Sequence, residues 1–264
     1  MLLVIKVKKD SRVEDENILC KFQCCKMTPF SLFFVHRTLR EIYEFVKHNP
    51  FSTRKTTPGQ VPFFFRNGDF DSLAGKIAAN ESEFGHLYVH FVQFDYRAQI
   101  IGEHGTGKTT FLAHFIALLN KNGHSVGQIA LHDGQRKLPQ EFWEQQKSMA
   151  TNFKRSASKK PPITIIDGYE QLSLLQKSWL RWFAFNNKFG LLVTTHTKKR
   201  HFPVLFQTKT NFDILLLVVE HLFREQNDLT PPDRTLCLSL FERHRGNLRD
   251  VLFELYDHYE ISER

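Results

Sequence analysis

Three glycines, a lysine and a threonine stand together in Gly102-Glu103-His104-Gly105-Thr106-Gly107-Lys108-Thr109, and that spacing suits one chemical task. Holding a polyphosphate requires backbone N–H groups turned toward it, a positive helix end and a mobile cation. Gly102, Gly105 and Gly107 permit a tight turn and close backbone approach, and Lys108 carries charge to the terminal phosphates. Thr109 offers a hydroxyl to Mg²⁺, and Thr110 follows it in the same turn. Glu103, His104 and Thr106 fill the variable positions, where they read as loop shape and surface, with His104 open to nucleotide contact.

A phosphate cradle of this kind also needs a carboxylate at the end of a neighbouring strand, holding Mg²⁺ beside the phosphates. Ile163-Thr164-Ile165-Ile166-Asp167 fits: four mostly β-branched residues deliver one acid, with a simple turn into Gly168 as the plainer alternative. Hydrolysis further requires a group that orients or deprotonates water. Glu170 is the nearby acid, three residues past Asp167, and it could equally cap the helix expected near Leu172. Thr194-Thr195-His196-Thr197 ends another strand on the carboxyl edge where open α/β sheets bind ligands. Thr195 or His196 could hydrogen-bond a terminal phosphate or water, or simply satisfy backbone groups. Arg249 opens the last helix, where it could reach the nucleotide or stay solvated.

These residues need elements to position them. From about Leu87 short apolar runs alternate with helical patterns, the signature of a parallel sheet covered on both faces. The spacing predicts strands at Ala98–Ile101, Val126–Leu131, Ile163–Ile166, Leu191–Thr194 and Val204–Phe206. Helices are predicted near Lys108–Asn120, Gln140–Thr151, Leu172–Asn187 and Asn211–Gln226, with crossover lengths suited to βαβ units. Two further helices follow, one from Pro231-Pro232 to about His244 and one over Leu248–Tyr259. The chain thus divides into an N-terminal extension with one helix at 1–60, a core at 61–228 and a helical cap at 229–264. Within the extension, Val35, Leu39, Ile42 and Val46 carry the helical period.

Composition bounds the rest. With 41% hydrophobic and 24% charged residues, the 264-residue chain has ordinary globular usage, and its 26 phenylalanines imply heavy aromatic packing. The formal charge of +8 fits a nucleic-acid surface, an anionic ligand site or scattered lysines. Cys20, Cys24, Cys25 and Cys237 match neither a disulfide framework nor a zinc spacing, and read as reduced thiols. The apolar start reaches Lys6 too early for a signal peptide, and later apolar runs fall far short of a membrane span. A cytoplasmic protein is expected, with no membrane partner.

Taken together, the cradle, Ile165-Ile166-Asp167, Thr194-Thr195-His196 and Gly246-Asn247-Leu248-Arg249 resemble the AAA+ and STAND branches of the P-loop NTPases. The resemblance covers residues 95 to 255 and implies an α/β P-loop NTPase with a five-stranded parallel sheet and a small C-terminal cap. By it Lys108 and Thr109 match the Walker A pair, Asp167 the Walker B acid, Thr195 sensor 1 and Arg249 sensor 2. Asp167-Gly168-Tyr169-Glu170 is closer to the Asp-Gly-x-Asp form of NACHT-type STAND proteins than to adjacent AAA+ acids. Thr195-His196 is also similar to the switch histidine of ABC ATPases, although no Leu-Ser-Gly-Gly signature is present. The Pro58-Gly59 loop and Asp133-Gly134-Gln135-Arg136 resemble features of short bacterial ATP-binding proteins.

The implied ligands are ATP and Mg²⁺, and the implied function is ATP hydrolysis driving a cap movement. Three alternatives stay open. Basic runs Lys154–Lys160 and Lys198–His201 would suit a nucleic-acid-associated ATPase. The displaced acid would suit a non-catalytic scaffold or signalling protein with a protein partner. The cradle alone would also serve a small-molecule kinase. Homo-oligomerisation is compatible with each.

Overall fold

The structure is a computed structural model that describes residues 49–52, 55–65, 73–155, 160–224 and 229–262. The helix expected around Val35–Val46 lies outside them, as does most of the basic run 154–160.

Five strands follow the predicted order: β1 (Arg97–Ile101), β2 (Val126–Ala130), β3 (Ile163–Asp167), β4 (Gly190–Thr195) and β5 (Val204–Gln207). They form one sheet in the order β2-β3-β4-β1-β5, with every pairing parallel. β4 is buried at all six positions and β3 at its first four, as expected of central strands clad on both sides.

The helices are α1 (Leu73–Gln93), α2 (Lys108–Lys121), α3 (Gln140–Arg155), α4 (Leu174–Asn186), α5 (Phe212–Phe223), α6 (Arg234–Arg243) and α7 (Leu248–Ser262). The 21-residue α1 is not among the expected elements. Its Phe84 and Phe91 are buried with α2 residues Phe111, Leu112 and Phe115 against one sheet face.

Successive strand residues point to opposite faces. Ile163, Ile165 and Leu192 join the α1–α2 cluster, while Ile166, Leu191 and Val193 join Phe142 of α3 and Leu180 and Phe183 of α4 on the other side. Thr164, on that second side, donates to Gln146 Oε1 of α3 at 2.6 Å, so the buried hydroxyl is satisfied. Ser173 caps α4 by accepting from Gln176 N at 3.3 Å. The opposite side of α4 leaves Leu174, Leu175, Trp179, Trp182 and Phe185 exposed.

A third cluster unites α5, α6 and α7 through Leu215, Val219, Leu240, Val251 and Leu255. Phe51, Val61 and Phe64 also belong to it, with the Phe51 ring 5.6 Å from Phe223 and 5.4 Å from Tyr259. The neighbouring Phe63 and Phe65 instead face the α1–α2 side, where Phe63 meets Phe111 edge-on at 5.3 Å. The segment 61–65 therefore lies between the sheet layer and the cap helices, and His114 of α2 is 3.1 Å from its Val61 carbonyl. Among the described residues no helix is long and apolar enough to cross a membrane.

Candidate functional site

The buried strand β1 runs straight into the glycine-rich loop, and α2 begins at Lys108. Gly105 and Gly107 sit at φ +70° and +85°, a region L side chains rarely enter, so the loop can curl back without strain. Gly102 has a different reason to be glycine: a Cβ there would stand 1.9 Å from Thr208 Oγ1. Thr208, just past β5, is buried and shares a 2.7 Å bond with Thr106, whose hydroxyl is also 2.8 Å from the Glu103 carbonyl. The loop is thus braced from beneath by a residue that no spacing rule singles out.

Lys108 Nζ donates to the Gly102 and Glu103 carbonyls at 2.8 and 2.7 Å, which stands the ammonium in the mouth of the loop. Burial pushes its pKa below the ordinary lysine value, while Asp167, Glu170 and Glu103 oppose that by attracting the charged form. Both carboxylates expected at the site therefore act on this one cation. Thr109 Oγ1 donates to Asp167 Oδ2 at 2.8 Å. Thr110 lies on the same first turn of α2.

Strand parity decides which β4 threonine joins them. Thr194 Oγ1 donates to Asp167 Oδ1 at 2.5 Å and accepts from Gly168 N at 2.9 Å. Thr195 is fully buried on the other face, where its hydroxyl is 3.3 Å from Gln99 Oε1. The sensing position expected at Thr195 is thus placed away from the carboxylate, and Thr194 stands there instead. Gln99 in turn accepts from Lys199 N at 2.8 Å and donates to the Phe202 carbonyl at 2.5 Å, which shapes the chain after β4.

After Asp167 the chain turns through Gly168 at φ +84° into a short 3₁₀ turn, Tyr169–Gln171. Tyr169 is buried, its hydroxyl pushed up to about 12 chiefly by desolvation. With the helix cap supplied by Ser173, Glu170 is free for another partner: His196 Nε2 is 2.9 Å from its Oε1. Its second oxygen, Oε2, is buried with no hydrogen-bond partner among the described residues. Lys177 of α4 donates to the Glu170 backbone carbonyl at 2.9 Å and fixes the turn from the other side. Gln171 Nε2 donates to Asp133 at 2.8 Å, tying the Asp133–Arg136 loop to the same turn.

His196 makes two further contacts. Its Nδ1 is 3.0 Å from the Gly102 carbonyl, and its ring centroid is 4.0 Å from that of the exposed His104. The carboxyl edge thereby joins Lys108, Thr109, Asp167, Glu170, Thr194 and His196. Arg249 is absent from the group: it is exposed, with its guanidinium 5.6 Å over the Phe253 ring. From the cap it is Asn247 that reaches the loop, since a Cβ on Gly105 would fall 1.6 Å from Asn247 Oδ1. Thr210 donates to the Gly246 carbonyl at 2.7 Å and holds that turn down.

Among the described residues no cluster of three or more His, Cys, Asp or Glu is placed to hold a metal ion. One hydroxyl and one carboxylate, Thr109 and Asp167, fit Mg²⁺ in the mode that relies on substrate phosphates and water for its other ligands.

No family model matches the chain, and no curated protein matches it. Among solved structures it is similar to a replication initiator DnaA bound to AMPPCP and single-stranded DNA. That likeness has 17% identity and a TM-score of 0.44, over 72% of this chain and 61% of that one. It is also similar to PCH-2 of C. elegans, at 12% identity and a TM-score of 0.43, over 78% of this chain and 72% of that one. The chain thus spans less than two thirds of the DnaA chain. The parallel five-stranded sheet, its helices on both faces and the glycine loop between β1 and α2 make up a P-loop NTPase fold.

Proposed function

We propose that this protein binds Mg²⁺-ATP at the β1–α2 loop and hydrolyses it, with the helical cap responding to the loop. The observation that carries hydrolysis is Glu170: one carboxylate oxygen is anchored on His196, the other is buried with no hydrogen-bond partner among the described residues, and the carboxylate's charge favours the protonated Lys108. A buried acceptor without a donor is costly unless a ligand or water supplies one.

The loop's N–H groups and the N-terminus of α2 favour an anion, and Lys108 adds a full charge beside them. Thr109 and Asp167 would hold Mg²⁺, which when bound neutralises phosphate charge and fixes phosphate geometry. Thr194 keeps the Asp167 carboxylate aimed at Thr109 by occupying its other oxygen. Asn247, resting on Gly105, gives the cap a direct contact with the loop.

Two measurements test this reading. In an equilibrium titration with Mg²⁺-ATP, wild type should bind and Lys108→Ala should lose on the order of a thousandfold, from charged hydrogen bonds of about 1.5–3 kcal/mol each. In single-turnover hydrolysis, Glu170→Gln should bind as wild type does yet release phosphate about 10²- to 10⁴-fold more slowly. Tight binding with no turnover by wild type would identify a nucleotide-dependent scaffold instead. Equal binding by wild type and Lys108→Ala would remove the nucleotide site.

A further inference from the structure

His196 faces two acceptors. Its Nδ1 lies 3.0 Å from the Gly102 carbonyl, which can only accept, so Nδ1 carries a hydrogen. Its Nε2 lies 2.9 Å from Glu170 Oε1. In a neutral ring with hydrogen on Nδ1, Nε2 is a lone pair. A lone pair facing a carboxylate is repulsive, so the contact needs a proton of its own between nitrogen and oxygen.

The pair is also fixed from outside. Lys177 holds the Glu170 carbonyl at 2.9 Å, Gly168 at φ +84° sets the turn, and His104 packs on the imidazole with centroids 4.0 Å apart. The result is a carboxylate with one oxygen, Oε1, anchored and the other, Oε2, buried without a partner among the described residues.

We propose that Glu170 and His196 work as one water-activating unit, in which His196 is the positioning residue that brings back to the phosphates an acid displaced three residues from Asp167. This rests on the ATPase reading above and specifies how its base is held. With a hydrogen between Nε2 and Oε1, His196 fixes the Glu170 carboxyl group and leaves Oε2 as the acceptor. Oε2 then takes a proton from water as the water oxygen bonds to the γ phosphorus. The bond from that phosphorus to the bridging oxygen breaks, and its electron pair leaves with the diphosphate. Because Nδ1 is bonded to the Gly102 carbonyl, the aim of the base follows the position of the loop itself.

The two hydrogen bonds of the ring can be separated by substitution. Asn at 196 reproduces a donor at the δ position and reaches only Gly102, whereas Gln reproduces the ε donor and reaches Glu170. Full-length wild type, His196→Ala, His196→Asn, His196→Gln, Glu170→Gln and the Glu170→Gln/His196→Ala double variant are compared. The readouts are Mg²⁺-ATP affinity and single-turnover phosphate release.

All variants should bind within about threefold of wild type, which verifies an intact site. His196→Ala and His196→Asn should slow turnover about 10- to 100-fold, less than the full effect of losing a general base. His196→Gln should recover most of that loss. The double variant should be no slower than Glu170→Gln, because residues acting as a unit are not additive. Unchanged turnover in His196→Ala, equal rates for the Asn and Gln variants, or multiplicative losses in the double variant would each overturn the pairing. Turnover abolished by Glu170→Gln but untouched by His196→Ala sinks only the pairing. A wild type that binds no Mg²⁺-ATP, or never turns it over, sinks the ATPase reading and the pairing with it.

Discussion

The phosphate loop and the cap turn meet at Gly105, yet different forces hold them. The loop stands on backbone geometry and short hydrogen bonds: positive-φ glycines, carbonyls grasping Lys108, and one long-range brace, the Thr106–Thr208 hydroxyl pair. The turn His244–Asn247 has local bonds as well, Gly246 N to the Phe241 carbonyl at 2.9 Å, Asn247 N to the His244 carbonyl at 3.0 Å and Thr210 to the Gly246 carbonyl, but its placement over the loop depends on helices α6 and α7 packing through Leu240, Val251 and Leu255. Backbone geometry can be specified by a few neighbouring residues, whereas packing geometry depends on side chains spread over the chain. The cap's contact with Gly105 should therefore be the softer of the two, and the easier to tune.

Loosening the packing is the severest way to break that contrast. Leu255→Ala removes a fully buried leucine from the cap and should cost about 2 to 5 kcal/mol, read as a lowered melting midpoint. Its loss of Mg²⁺-ATP affinity should be far smaller, since no loop bond involves Leu255. Equal losses in both readouts would show that the two regions are not separately held.

Gly105→Ala attacks the junction. Its φ of +70° is strained for alanine, and the new Cβ would collide with Asn247 Oδ1. The variant should lose about 1 to 3 kcal/mol of stability. Adding Asn247→Ala should restore part of it, because touching residues are non-additive. Strict additivity in denaturant titrations would mean that the side chains do not meet.

Gentler changes sharpen the comparison. Asn247→Ala alone should shift Mg²⁺-ATP affinity about fivefold. Arg249→Ala, removing an exposed residue stacked on Phe253, should stay within about 0.5 kcal/mol in both stability and affinity. The reverse ranking would restore Arg249 as the cap's contact with nucleotide.

The same contrast explains what the sequence discloses. All five strands and the loop are legible because each is local: an apolar run, a period, a glycine spacing. Asp167 is legible for the same reason, as the polar end of a buried run. Choosing between Thr194 and Thr195 required register, because adjacent strand residues face opposite sides and two threonines look alike in sequence. β3–β4 pairing puts Ile166 beside Val193, and so Thr194 beside Asp167. Helix α1 escaped because Gly75, Gly85 and scattered phenylalanines blur its period. Arg249 is a better ligand type than Asn247, but placement by the α6–α7 turn outweighs residue type. Glu170 was visible as an acid and invisible as a partner of His196, since no rule of spacing joins positions 26 residues apart on different elements.

The packing of Phe51 among cap helices has a consequence for synthesis. Asn49 Nδ2 bonds the Tyr256 carbonyl across 207 positions, and Phe51, Val61 and Phe64 complete the cluster of α5, α6 and α7. On the ribosome those three side chains emerge long before the helices that will cover them. The sheet can assemble strand by strand, but the cap cannot close until the last helix has left the exit tunnel. During that interval a nascent chain displays aromatic surface that a chaperone would recognise. Emergence of α7, not completion of the nucleotide loop, is then the event that closes the cap.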